Sequence, residues 1–408
     1  MKRLPYSISL HTPKLWRPLA VMLTAAALAV GCGGGGGVDT GGTGSTGSTT
    51  AFSSGRISGF GSIIVNGIRF DDSTARVLDD EGVEHVRGEL KLGMVTDVIA
   101  GAVTFDASTG LSNSKATEIR YGSEIKGPVQ ALNAAAGTFT VIGQNVKVDV
   151  ATVFEDLPTG LASVQVGNLL EVYGFLDLST GSYTATRIER KASLLSYKVV
   201  GNISALDTAA KTFTIGGATI SYTSVVANAL PVLSNGLEVR ATLQTIPKGN
   251  VWIASALAGN APLVAEGAQT ELEGYITDFV STSNFKVAGV LVSASGSGLV
   301  FKNGNAAQLA NGVAIEVEGV TRAGVLAASQ IDVKTNGGGG QEFQLFGAIE
   351  SVNAAAQSFV LRGVTVRYSA STRIDNGSAA NLVVGASVEV RGVLSGSGNQ
   401  LVAARIKF

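Results

Sequence analysis

The chain has 408 residues, 45% apolar and only 15% charged, with 53 glycines and a formal net charge of −1. That length exceeds one small core, and the composition excludes both the charge-rich signature of a disordered chain and the Leu/Ala-rich signature of a helical one. Abundant Gly with Val, Ile and Thr and few aromatics predicts sheets joined by tight turns.

Residues 1–31 read as an export signal. Lys2, Arg3, Lys14 and Arg17 make a basic start, and residues 19–31 are uncharged and mostly apolar. Such a stretch is too short to span a bilayer as a helix, which needs about 20 residues. It ends Leu28-Ala29-Val30-Gly31-Cys32. Small residues directly before a cysteine resemble the lipobox of bacterial lipoproteins, with Ala29 where Leu is commoner. The resemblance implies a diacylglyceryl group on Cys32, cleavage after Gly31 and an acyl chain on the new amino terminus. One acyl chain anchors only marginally, at about 0.8 kcal/mol per buried CH₂, whereas two or three hold stably. The alternative is a plain secretory signal followed by a free thiol. Cys32 is the only cysteine and sits at the cleavage point, which favours lipidation. Gly33 in place of Asp resembles lipoproteins passed on to the outer membrane. The expectation is an exported chain, held by its lipid in the cell envelope at the outer membrane.

Lipidation of Cys32 leaves the mature chain without disulfides or thiol catalysis. Losing residues 1–31 removes four of the 30 basic residues and none of the 31 acidic ones, which takes the net charge from −1 to −5. No basic block survives to suggest a nucleic-acid partner. Residues 33–54 are almost entirely Gly, Ser and Thr, so residues 32–54 predict a disordered tether with a span of about 25 Å.

Internal repetition dominates the rest. The string Phe139-x-Val141-x-Gly143-x-x-Val146 returns at Phe213, Ile215, Gly217 and Ile220, then at Phe285, Val287, Gly289 and Val292, and at Phe359, Leu361, Gly363 and Val366. An earlier copy is Ile63-x-Val65-x-Gly67-x-x-Phe70, and the intervals are 76, 74, 72 and 74 residues. Alternating apolar residues around a glycine predict a β-hairpin, most clearly at Asn66-Gly67, which suits a type I′ turn. A short strand precedes each hairpin, at Ile57, Val129, Ile203, Ile276 and Ile349. A second string follows, Gly167-x-x-x-Glu171-Val172, echoed at Glu316-Val317, Glu389-Val390, Asp97-Val98 and, two residues shorter, Glu238-Val239. An Ala-x-x-apolar strand closes each unit, from Ala116, Ala185, Ala254, Ala328 and Ala403.

No unit contains a convincing amphipathic helix; residues 156–166 and 377–384 suit one turn at most. A single small sheet leaves unpaired edges, and closure into a barrel removes them. The expected fold is therefore all-β: a tandem array of five small OB-like antiparallel β-barrel repeats after the tether. Their bounds are 55–122 (divergent), 123–192, 195–260, 269–335 and 341–408. Units of this size without disulfides bury little surface alone, so contacts between neighbours are expected. Residues 336–340 read as a flexible joint. Lipobox, glycine tether and tandem hairpins together resemble domain of unknown function 5666, found in bacterial cell-envelope lipoproteins, over residues 55–408. The first unit departs most, lacking the hairpin Phe and carrying an extra charged stretch over residues 79–89. The resemblance implies fold and location and brings no activity.

Chemistry finds few residues. His11 lies in the export signal, which leaves His85; one His does not make a His-based metal site, and no nucleophile string accompanies it. The reading is a surface His beside Glu84. The recurring acids Asp97, Glu171, Glu238, Glu316 and Glu389 are the one candidate ligand set. Either each binds calcium or a sugar hydroxyl, or each is a solvent-facing strand position paired in places with Arg187 or Arg405. Calcium needs six to eight oxygens, and no local carboxylate cluster supplies them, which favours the second. Asp79, Asp80, Glu81 and Gly82 lack calcium-loop spacing and read as a solvated turn. Phe139, Phe213, Phe285 and Phe359 read as core, while Trp252, Tyr173, Tyr183 and Tyr275 share no stacking face. The expectation is no enzyme, no cofactor and no metal. The leading function is a structural or protein-interaction module of the envelope; the alternative is a peptidoglycan- or polysaccharide-binding protein. Expected partners are the membrane, through the lipid, and envelope proteins or glycans.

Overall fold

A computed structural model describes residues 50–107, 110–334, 341–395, 398 and 400–408. The export signal, Cys32, the tether up to residue 49 and the expected joint at residues 336–340 lie outside them. The described chain is all-β: apart from short 3₁₀ turns such as Gly160–Ser163 and Ala379–Asn381, every element is a strand. No helix among the described residues is long and apolar enough to cross a membrane.

Within residues 125–191 five strands close into a ring. Ile125–Asn133 pairs antiparallel with Thr138–Val141, which turns back into Gln144–Lys147. That third strand runs parallel to the last, Ser182–Lys191, and the last pairs with the fourth, Leu169–Asp177, which returns to the first. The order first, second, third, fifth, fourth, first makes a small Greek-key barrel of OB type. Gln269–Ser281, Asn284–Val287, Val290–Ser293, Ala314–Arg322 and Val325–Val333 close in the same order. Thr50–Phe60, Ile63–Val65, Ile68–Asp71, Val95–Gly101 and Leu111–Tyr121 follow it too. In residues 197–259 and 343–407 the first strand is broken in two, at Ile203 and Ile349, both buried where the break occurs.

Alternation explains the cores. Phe139, Phe213, Phe285 and Phe359 point inward and are 2%, 1%, 0% and 1% exposed, as the hairpin strings predict. Phe285→Ala is expected to cost about 3–5 kcal/mol, the usual range for emptying a packed aromatic site. Phe105→Ala, at a residue 49% exposed, should cost less than about 0.5 kcal/mol; urea unfolding of both variants checks the pair. Asn66 and Gly67 have φ of 49° and 73°, the type I′ turn read from the sequence. Ile142, Ala288 and Arg362 take the same left-handed conformation before Gly143, Gly289 and Gly363.

First strands also join the barrels. Ile125 and Lys126 pair with Val199 and Lys198, and residues 59–60 pair parallel with residues 344–345. Residues 51–54 pair parallel with residues 269–272. Thr50–Phe60 is therefore one strand, and residues 50–54 are not tether as expected: the serines there are buried in a ladder, Ser53 completely.

Candidate functional site

The five recurring acids do not converge. Each stands on a fourth strand with its side chain away from its own barrel core, as alternation requires, yet none is fully exposed: Glu171 is buried and the other four are half-buried. Glu171 is 7% exposed, with Lys126 Nζ at 3.1 Å, Lys191 Nζ at 3.0 Å and the Tyr173 hydroxyl at 3.2 Å. Burial works against its charge, but the two ammonium groups outweigh it and hold the carboxyl down at about 2. Glu316 binds Lys334 Nζ at 3.0 Å, and Lys334 reaches Asp332 at 2.7 Å. Glu389 accepts from Arg391 Nε at 2.9 Å and from Gln344 Nε2 at 2.8 Å. Glu238 accepts from Asn260 Nδ2 at 2.7 Å, and burial raises its carboxyl. Burial also raises Asp97, against a hydrogen bond from Ser54.

The arginines expected beside these acids pair elsewhere. Arg187 binds Glu155 and Glu189 and donates to the Leu92 carbonyl at 3.0 Å, while Arg405 binds Asp375. The reason is register. Glu171 stands opposite Glu189, Glu316 opposite Asp332 and Glu389 opposite Lys407, so the arginines fall two residues away. Among the described residues no group of three or more His, Cys, Asp or Glu side chains could hold a metal.

The acidic turn is only partly solvated. Asp79 Oδ1 accepts from the Glu81 and Val83 amides at 2.9 and 2.8 Å, which fixes the turn. Asp80 instead reaches across to Lys198 Nζ at 2.6 Å. His85 bridges Asp79 and Glu89 at 3.1 and 2.9 Å, and these bonds, the one from Asp79 foremost, raise its imidazole. A carboxyl that sequence reasoning missed is Glu271, 3% exposed, whose Oε2 has no hydrogen-bond partner. Burial, then the charge of Glu318, pushes it well above the carboxylate range.

A cleft of about 480 Å³ opens among the barrels, and no sequence string announced it. Arg87 and Lys91 line it from the charged stretch of residues 50–121 and the loop just after, Phe154 and Glu155 from a short strand, and Arg362 from a hairpin tip. Its walls touch where the Phe154 amide donates to the Gly398 carbonyl at 3.0 Å. Asp72, 8% exposed, sits in the lining with Arg87 Nη1 at 3.4 Å.

A family described as "Domain of unknown function (DUF5666)" matches residues 126–189, 273–332 and 346–407. The chain carries three copies of this domain. The first and third DUF5666 copies each contribute a wall of the cleft, and residues 50–121, outside the matched stretches, supply the remainder. No curated protein matches the chain. Among solved structures it is similar to Drosophila Unr CSD456, at 12% identity over 53% of this chain and 98% of that one, with a TM-score of 0.16.

Proposed function

We propose that the chain is a non-catalytic module of the cell envelope, five copies of one OB-like barrel tethered by a lipid on Cys32 and used as a structural or protein-interaction body. The first and third segments, 50–121 and 197–259, are then copies that have drifted beyond the DUF5666 pattern. The observation that carries the reading is the use made of the charged side chains. Arg56 binds Glu273 at 2.7 Å, Lys198 binds Asp80, and Arg187 reaches the Leu92 carbonyl, each across a seam between barrels. Charges spent on holding barrels together support a rigid body better than a reaction centre. His85 has both ring nitrogens engaged by carboxylates, with no hydroxyl or thiol nucleophile hydrogen-bonded to them among the described residues.

Cys32→Ala is expected to move the chain completely from the membrane pellet to the soluble fraction and to abolish labelling by radioactive palmitate. Retention of both in the variant contradicts the anchor. Turnover of any envelope substrate, lost on a single point substitution, contradicts the non-catalytic reading. The glycan-binding alternative is favoured by one feature, the cleft.

A further inference from the structure

We propose that the cleft between residues 50–121 and the DUF5666 copies at 126–189 and 346–407 binds an organic oxyanion, a carboxylate or phosphate carried on a body one or two sugar rings in size. The site goes beyond the envelope reading and stands whether or not Cys32 is acylated.

Three observations carry it. The first is size: about 480 Å³ lies within the range of small-ligand sites.

The second is charge. Four cations line the cleft against the two carboxylates Asp72 and Glu155. One cation, Arg187, is 3% exposed and already engaged by Glu155, Glu189 and the Leu92 carbonyl. The other three have donors to spare. Lys91 is exposed, and its ammonium makes no hydrogen bond or ion pair with another described residue. Arg362 donates only through Nε, to the Phe346 carbonyl at 3.1 Å, which leaves its outer nitrogens to the cleft. Arg87 touches Asp72 at a long 3.4 Å. Asp72 also feels the charge of Arg362, but only Arg87 is in contact with it. Forked guanidinium donors match carboxylate and phosphate oxygens, and a lysine adds a point charge.

The third observation separates this group from ordinary surface charge. Two of these three cations, Arg87 and Arg362, come from places where the chain departs from its own pattern, and Lys91 lies beside one of them. Arg87 lies in the charged stretch that only residues 50–121 carry, and Lys91 follows two residues after it. Arg362 holds the turn position filled by Asn66, Ile142 and Ala288 in other hairpins. The barrel fold requires none of them, yet packing brings them together. Leu90, Leu92 and Phe154, each under a tenth exposed, give the same cleft an apolar side on which a ring can lie. A phosphate polymer would need an extended basic stripe, so a compact ligand fits better.

The test is calorimetric titration of residues 33–408 with digalacturonate, glucose 6-phosphate, inorganic phosphate and maltose. Digalacturonate or glucose 6-phosphate should bind, and maltose should not. Lys91→Ala and Arg362→Ala should each weaken that binding about tenfold, the loss expected for one charge-assisted hydrogen bond. Both variants should melt with the parent, because Lys91 is exposed and alanine already occupies the turn position at Ala288. Three outcomes overturn the proposal: no binding of either sugar acid at millimolar concentration, binding unchanged in both variants, or maltose binding equally well. Inorganic phosphate binding as tightly as glucose 6-phosphate would overturn the sugar-sized body.

Discussion

Gly392→Val is expected to unfold the barrel of residues 343–407, and Gly319→Val that of residues 269–333. A Cβ at Gly392 would stand 2.1 Å from the Val402 carbonyl oxygen, and one at Gly319 would stand 2.1 Å from that of Ala327. Gly174 meets the Thr184 carbonyl oxygen at 2.4 Å in the same way. All three sit where the ladder between fourth and last strands slips register, at Tyr173/Gly174, Glu318/Gly319 and Arg391/Gly392. A bulge there bends the last strand inward so that the ring can close, and the obstructing atom is backbone, which cannot rotate aside as a side chain would. Overpacking alone costs about 1–3 kcal/mol; disruption of the ladder adds to it, so a loss of about 3 kcal/mol or more is expected. Thermal unfolding checks this, with Ala100→Gly as the control. Ala100 occupies the corresponding slip in residues 50–121 and accommodates a Cβ while 2% exposed. A Gly392→Val chain that melts with the parent would contradict the close approach.

These glycines also mark what the sequence hid. The strings ending Glu171-Val172, Glu316-Val317 and Glu389-Val390 each run two residues further to Gly174, Gly319 and Gly392. A glycine inside a strand is ambiguous until its partner strand is known, so the bulge was not legible, although its recurrence in the three DUF5666 copies was a usable signal. Hairpins were legible because apolar alternation and Asn66-Gly67 are local. The cores followed, because each recurring Phe lies on the inward face of its hairpin strand. The link between hairpin tip and first strand was not legible: a Cβ at Gly347 would stand 3.0 Å from Arg362 Nε, and one at Gly127 would stand 2.6 Å from Ile142. Each string is plain in the sequence, but nothing local says that they touch.

The seams between barrels were least legible, for a different reason. Outward residues of a strand look solvent-facing whether they meet water or another barrel. Arg187, Glu189 and Lys191 alternate in sign along one face, a pattern that suits buried ion pairs as well as a solvated edge. The cleft shares this difficulty, since its cations come from positions 87, 91, 187 and 362, and only the packing of three barrels makes them neighbours.

The seam at Lys198 yields the second large effect. Asp80→Ala is expected to cost about 3–5 kcal/mol at neutral pH, because removing one partner of a buried pair strands the other charge. Lys198 is 3% exposed, with Asp80 Oδ2 at 2.6 Å from Nζ and Arg240 Nη1 at 3.8 Å from the same oxygen. Glu124 tempers the loss at higher pH. Burial first, then the charge of Glu238, pushes its carboxyl up to about 8, and Asp80 contributes to the rise. A carboxyl whose folded value lies above its unfolded value stabilises the fold fully below the unfolded value near 4.5 and loses that contribution as pH rises through about 8. The parent should therefore melt lower at pH 8.5 than at pH 5.5 relative to Glu124→Gln, which has no proton to lose. In Asp80→Ala the repulsion on Glu124 falls, so Glu124 ionises at lower pH and takes over part of the pairing with Lys198. The deficit of Asp80→Ala should then be larger at pH 5.5 than at pH 8.5, and the double variant Asp80→Ala/Glu124→Gln should show a full deficit at both. Melting curves of the four proteins at the two pH values decide it. Parallel shifts across pH would mean that Glu124 does not answer to Asp80, while an Asp80→Ala chain as stable as the parent would mean that Lys198 finds water or another acid in that seam.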